Sequence, residues 1–234
     1  WFKAVTPNVV PGKPMQFKLD YKNNNTLATG NVTAEFTVPA DMTGITVLVN
    51  GTPTNPIING TTVTVPVGVV NSGASGSIVL QGLLKSDTTA LSLQAEAKMT
   101  WNPTEAIGTA VANVVRIELN GPSFIKPGKV TLYGKCAEGA EVTIFGKKQN
   151  QTAAMVLGKA TAEGKWWSTQ VDLQTQGSET YQLYAVAKKD GVASDPSKTL
   201  TIKVQTDAVT LTDTTINAAW NRNVKSNKKT GIPA

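Results

Sequence analysis

Apolar and polar residues alternate one for one along most of this chain. In "MQFKLDY", Met15, Phe17, Leu19 and Tyr21 are separated by Gln16, Lys18 and Asp20, and in "VTAEFTV", Val32, Ala34, Phe36 and Val38 repeat the pattern. "TTVTVPV" and "SIVLQGLL" follow, and "LSLQAEAKMTW" puts Leu91, Leu93, Ala95, Ala97, Met99 and Trp101 on one face. A period of two marks half-buried strands of antiparallel sheets and leaves little room for helices. Turn chemistry separates the runs at Pro11-Gly12, Asn50-Gly51, Asn59-Gly60 and Asn71-Ser72-Gly73.

A second series of strands begins after "VVRIELNGPSFIKPGK". It reads "KVTLYG", "EVTIFG", "WWSTQVDL", "YQLYAVA" and "KTLTIKV", with turns at Pro127-Gly128, Glu138-Gly139, Glu163-Gly164 and Asp190-Gly191. Short strands spaced by about ten residues describe β-sandwiches. The 234 residues suffice for two small domains, each with its own core. The expected fold is all-β: two tandem Ig-like antiparallel β-sandwiches, over residues 1–116 and 117–205. Residues 206–234 are expected to be an extended tail or the start of a further domain.

The stretch from Gly134 to Val204 resembles bacterial Ig-like domains of large surface proteins. The resemblance is carried by Gly134, Gly139-Ala140 ahead of Val142 and Ile144, Gly164 before an aromatic residue, Tyr181-x-Leu183-x-Ala185-x-Ala187, and the closing strand Ser197 to Val204. The first half resembles another β-sandwich repeat, found in bacterial and archaeal envelope proteins. Its marks are Pro11-Gly12, the Val-Thr strand running into Val38-Pro39-Ala40, and "VGVVNSGASGSIVLQGLL". Asn23-Asn24-Asn25-Thr26 departs from the Asn-x-Gly that often stands there. Both resemblances imply an extracellular setting on the prokaryotic cell surface and a repetitive architecture, and neither implies a reaction or a fixed ligand.

Residue chemistry points the same way. The chain has no histidine, which removes the commonest general base and zinc ligand. It has neither a phosphate-binding glycine loop nor a nucleophile elbow, and its 16 carboxylates form no calcium-loop cluster. Asp190 and Asp195 read as turn residues. No enzyme activity, metal or cofactor is expected. The single cysteine, Cys136, reads as small core filler. The net charge of +6 comes from short lysine runs that read as a solvated surface, so nucleic acid is not an expected partner. No apolar run reaches the roughly 18 residues of a membrane span. Starting at Trp1 without a signal peptide, the sequence reads as a processed chain or as a piece of a longer one. Sequons stand at Asn24, Asn31, Asn50, Asn59 and Asn150. A Lys-to-Asn amide crosslink among Lys18, Glu35 and Asn113 is disfavoured, because the alternation turns Lys18 and Glu35 outward.

The tryptophans and the tail hold the remaining candidates. Trp166 and Trp167 are adjacent on one strand and face opposite ways, one into the core and the other toward solvent or a neighbour, a protein or a glycan. Trp1 and Trp101 are expected to cap a domain core. In "TINAAWNRN", Ile216, Ala218 and Trp220 again fall at alternate positions. An extended segment of this kind adds itself to an open sheet edge, in its own chain or in a neighbour's, or else it opens a further domain. The expectation is a structural subunit of a surface layer or filament. It joins copies of itself or other surface proteins through Ile216, Ala218 and Trp220, with Trp1 and Phe2 as second choice. The alternatives are an adhesin or wall-associated module that grips a glycan, peptide or wall polymer, through Trp166 and Trp167 or the loops at 40–45 and 145–155, and a passive spacer.

Overall fold

The computed structural model describes residues 1–206 apart from Asn102. All regular structure among them is β. The first half forms β1 (Phe2–Ala4), β2 (Asn8–Val9), β3 (Pro14–Lys22), β4 (Asn31–Thr37), β5 (Met42–Val49), β6 (Thr52–Thr54), β7 (Ile57–Asn59), β8 (Thr62–Val69), β9 (Ser75–Leu84), β10 (Ser92–Trp101) and β11 (Thr104–Val114). These make two facing sheets, ordered β1-β3-β9-β5-β6 and β2-β11-β10-β4-β8-β7. The alternation read from the sequence is what fills the space between them. Met15, Phe17, Ile78 and Leu80 from one sheet meet Ala34, Phe36, Val63, Val65 and Ala95 from the other in one buried cluster. The Asn50-Gly51 turn has φ of 53° and 80°, the mirror-image turn that matches the twist of a β-hairpin.

The second half forms β12 (Phe124–Ile125), β13 (Gly128–Lys135), β14 (Glu141–Lys148), β15 (Met155–Thr161), β16 (Trp166–Leu173), β17 (Ser178–Lys189), β18 (Val192–Ala193) and β19 (Leu200–Gln205). One sheet runs β12-β19-β17-β14-β15, with β18 on β17, and it faces the pair β13-β16. Bridges from Ile117 to Cys136 and from Asn120 to Tyr133 lay a further short strand against β13. Leu132, Ile144, Trp167, Leu173, Leu183 and Ile202 lie in a second buried cluster that shares no residue with the first. Gly134 lets two backbones meet: a Cβ there would run into the carbonyl of Glu118.

Both halves start in the same way. The opening strand pairs antiparallel with the second strand, then crosses to the other sheet and runs parallel to the last one. In the first half these pairs are β1 with β3 and β2 with β11; in the second they are the Ile117–Asn120 bridges to β13 and β12 with β19. This split first strand gives both sandwiches an Ig-like order.

The two sandwiches meet at a small polar joint. Asn8, 8% exposed, donates through Nδ2 to Asp190 Oδ2 at 3.1 Å and accepts from Asn113 Nδ2 at 2.9 Å. Asp190 and Gly191 form the β17–β18 turn with φ of 47° and 85°. In the connector, Arg116 donates to Thr89 O at 3.1 Å and pairs with Glu118 at 3.0 Å. Among the described residues, hydrogen bonding between the two halves is confined to this joint.

Candidate functional site

β11 runs from Thr104, at the pole of the first sandwich away from the joint, to Val114 beside it. At that outer pole the two sheets part. The inward positions there carry Ala97, Ala106 and Gly108 on one sheet and Gly76 on the other, with Tyr21 and Asn50 lying over Gly76 and Phe2 against Gly108. The result is an open cleft of about 980 Å³. Leu19, Val32, Val70 and Met99 line its depth, and Phe2 closes the inner end against Phe17 and Phe36, with ring centres 5.9 and 5.8 Å away. Trp1, Tyr21 and Trp101 bring aromatic rings to the wall, and Asn23, Asn24, Asn25, Asn50, Ser75 and Ser77 bring amides and hydroxyls. Trp101 also lines a hollow of about 310 Å³ beside the 25–30 loop.

The rim is built to stay in place. Buried Asn23 donates from Nδ2 to the carbonyls of Leu27 at 2.8 Å and Val70 at 2.9 Å, and its Oδ1 accepts from Asn25 N at 3.0 Å. Thr29 Oγ1 accepts from Val70 N, and Ser72 Oγ donates to Asn25 O. On the opposite lip, Asn50 Oδ1 accepts from Ser77 N at 2.8 Å. Asn23, where the sequence departs from the envelope-repeat pattern, is therefore the clamp of the loop that frames the cleft.

Beside the cleft, the outer edge of β11 is only partly paired, and β1 lies near it, with Phe2 Cβ 3.2 Å from where a Cβ on Gly108 would stand. Its inner side pairs with β10 from Thr104 to Asn113, whereas β2 pairs with its outer side only at Asn113 and Val114. From Thr104 to Ala112 the outer side pairs with no strand among the described residues. Unpaired backbone groups at an edge are a template for another extended chain.

The candidates from the sequence fall as follows. Trp1 is 84% exposed and stands at the cleft rather than over a core, while Trp101 is partly buried and does pack on the first core. Phe2 is half-buried and turned inward. Trp167 is buried and donates from Nε1 to Glu118 O at 3.2 Å, while Trp166 is 55% exposed with Lys135 Nζ 4.6 Å from its ring centre. Lys18 pairs with Asp20 at 2.8 Å on the outer face of its sheet, and Glu35 is exposed on the other sheet, so the crosslink triad is not assembled. All five sequon asparagines are exposed, and Asn24 and Asn50 line the cleft. Cys136 is fully buried, and burial pushes its thiol up to about 11. Ile216, Ala218 and Trp220 lie outside the described residues. Among the described residues, no group of three or more metal-ligating side chains gathers, and no helix is long and apolar enough to cross a membrane.

The sequence reading missed the cleft itself. The small residues at Gly76, Ala97, Ala106 and Gly108 do not single it out, because Ala34, Ala95, Ala110 and Ala112 are equally small and lie packed in the core.

No family model matches the sequence, and no curated protein matches it. Among solved structures, the chain is similar to the C-terminal domain of the Streptococcus agalactiae AgI/II polypeptide BspA, at 7% identity and a TM-score of 0.44, over 87% of this chain and 99% of that one. The C-terminal domain of the Streptococcus pyogenes antigen I/II-family protein AspA follows at 8% identity and 0.41, over 86% and 94%. The BSP domain of a biofilm-associated protein gives 10% identity and 0.35, over 89% and 66%. Likenesses this distant carry no argument about function, and the Ig-like sandwich assignment rests on the strand order above.

Proposed function

We propose that this chain is a non-catalytic structural subunit of a prokaryotic cell-surface assembly, a surface layer or filament, joined to its neighbours through sheet edges and termini. The observation that carries this reading is the apolar cleft at the outer pole of the first sandwich, beside the end of β11 whose outer side pairs with no strand among the described residues. Such a strand end offers backbone hydrogen bonds to a neighbour, and the cleft beside it takes apolar side chains. Light scattering behind size exclusion, over a concentration series of the full chain, tests it. Species larger than a monomer that grow with concentration are expected, and a monomer at every concentration would reject the reading.

A second reading draws on the rim of the same cleft. Aromatic rings beside asparagine amides and serine hydroxyls suit a carbohydrate, whose apolar faces stack on rings while its hydroxyls take hydrogen bonds. Under that reading the chain is an adhesin or wall-associated module. Saturable binding of a cell-wall or host glycan by a strictly monomeric protein, lost in Trp101→Ala, would favour it.

A further inference from the structure

We infer that one face of the second sandwich is a docking surface for an acidic polysaccharide, a chain of sugar rings that carry carboxylates. The face is the outer side of the sheet β12-β19-β17-β14-β15. It shares no residue with the cleft of the first sandwich, and the inference stands whether or not copies of the chain associate there. It is carried by the charge that the sheet collects on that side and by the side chains set between the charges.

Alternation fixes which side chains stand on this face. Ile144 of β14, Leu183 and Ala185 of β17, and Ile202 and Val204 of β19 lie in the second core, so the residues between them point to solvent. The register then sets these in rows across the strands. Val156, Phe145 and Tyr184 form an apolar row, in which Phe145 and Tyr184 stack with ring centres 5.1 Å and planes 12° apart and Val156 is 52% exposed. Lys159 stands in the row on one side of it and Lys147 in the row on the other, and Lys203 lies one row beyond Lys147. Lysines that the sequence scatters over three strands are thus gathered around one apolar strip.

The charge on this face does not balance. Glu141 stands opposite Lys188, and Asp195 lies between Ser194 and Ser197, which bond to Ala187 and Ala185 at the same end of β17. Lys147, Lys159 and Lys203 instead face Gln182, Thr143 and Thr180 across the strands. Among the described residues, the ion pairs of this half, Arg116 with Glu118 and Lys148 with Glu179, use none of the three. The opposite sheet differs, since there Lys129 faces Asp172 and the Lys135 ammonium sits over the Trp166 ring. A cluster of one sign suits a partner of the other. Between the lysines, Thr143, Thr180, Gln182 and Thr201 supply the hydroxyls and the amide that bind sugar hydroxyls, and the apolar row lies open to their C–H faces. Single-stranded nucleic acid stacks its bases on open ring faces, and Phe145 and Tyr184 close one face each on the other.

Isothermal titration calorimetry of the full chain with polygalacturonate, a carboxylated sugar polymer, tests this. Saturable binding is expected, weakening at least about fivefold as sodium chloride rises from about 50 to about 300 mM, with no binding of neutral dextran. The combined variant Lys147→Gln, Lys159→Gln and Lys203→Gln is expected to bind about tenfold more weakly. Lys3→Gln, Lys13→Gln and Lys129→Gln together remove the same charge from other exposed positions, and they are expected to change the affinity less than about twofold. Circular dichroism checks that both variants keep their β signal. Equal weakening in the two variants overturns the inference, because net charge and not this face would then hold the polymer. Polygalacturonate that fails to bind overturns it too, and so does oligothymidylate bound as tightly as polygalacturonate, which would hand the face to nucleic acid. Self-association is read separately by light scattering, so a monomeric wild type that binds the polymer rejects the subunit reading and leaves this inference standing.

Discussion

Cys136 illustrates how far a single side chain depends on its surroundings here. It is fully buried in the second core, and its thiol is raised from 9.0 to about 11 because burial disfavours the thiolate. Between those two values the unfolded chain has released its proton while the folded one keeps it. The unfolded state then binds fewer protons, so stability falls as pH rises from about 9 to about 11, by up to about 1.4 kcal/mol per pH unit. Chemical denaturation at several alkaline pH values, compared with Cys136→Ala, measures this. The wild type should lose the extra increment and the alanine variant should not. The same burial keeps the thiol unreactive, so a thiol reagent should label Cys136 only on unfolding.

At the level of elements, the 23–30 loop depends on Asn23. Replacing it with alanine leaves the carbonyls of Leu27 and Val70 without their shared donor and frees Asn25 N. A loss of about 1–3 kcal/mol is expected for buried groups stripped of their partners. Hydrogen exchange should quicken in residues 23–30 and 70–74 ahead of the strands. The strands themselves were legible in the sequence, because alternation is local: Met15, Phe17 and Leu19 declare an inward face whatever they pack against. The Asn50-Gly51 and Asp190-Gly191 turns were legible for the same reason, since a left-handed pair favours just those residues. The cleft was not. Ala97 and Gly108 keep the alternation that a filled core would have, and the cleft takes its shape only where they meet Tyr21 and Gly76 of the other sheet. That meeting joins residues remote in sequence, which no local period records. Asn8 was equally silent, since its role depends on Asp190, 182 positions away.

At the scale of the whole molecule, the separate cores suggest two folding domains, 1–116 and 117–205, that unfold one after the other. Gly134→Ala tests this, because the added Cβ meets the Glu118 carbonyl inside the second sandwich alone. Calorimetry should show one transition shifted by a loss of more than about 2 kcal/mol and the other left in place. A single transition that moves as a whole would mean that the joint welds the halves into one unit. The split first strand has a mechanical side. In each sandwich the strand that enters runs parallel to the strand that leaves, β2 beside β11 and β12 beside β19. A pull along the length of the molecule draws the two members of each pair in opposite directions along their axes. The hydrogen bonds between them are then loaded together, in shear, rather than peeled apart one at a time. A link drawn taut between a cell and whatever it is tied to would yield late and abruptly, with both sandwiches intact until then.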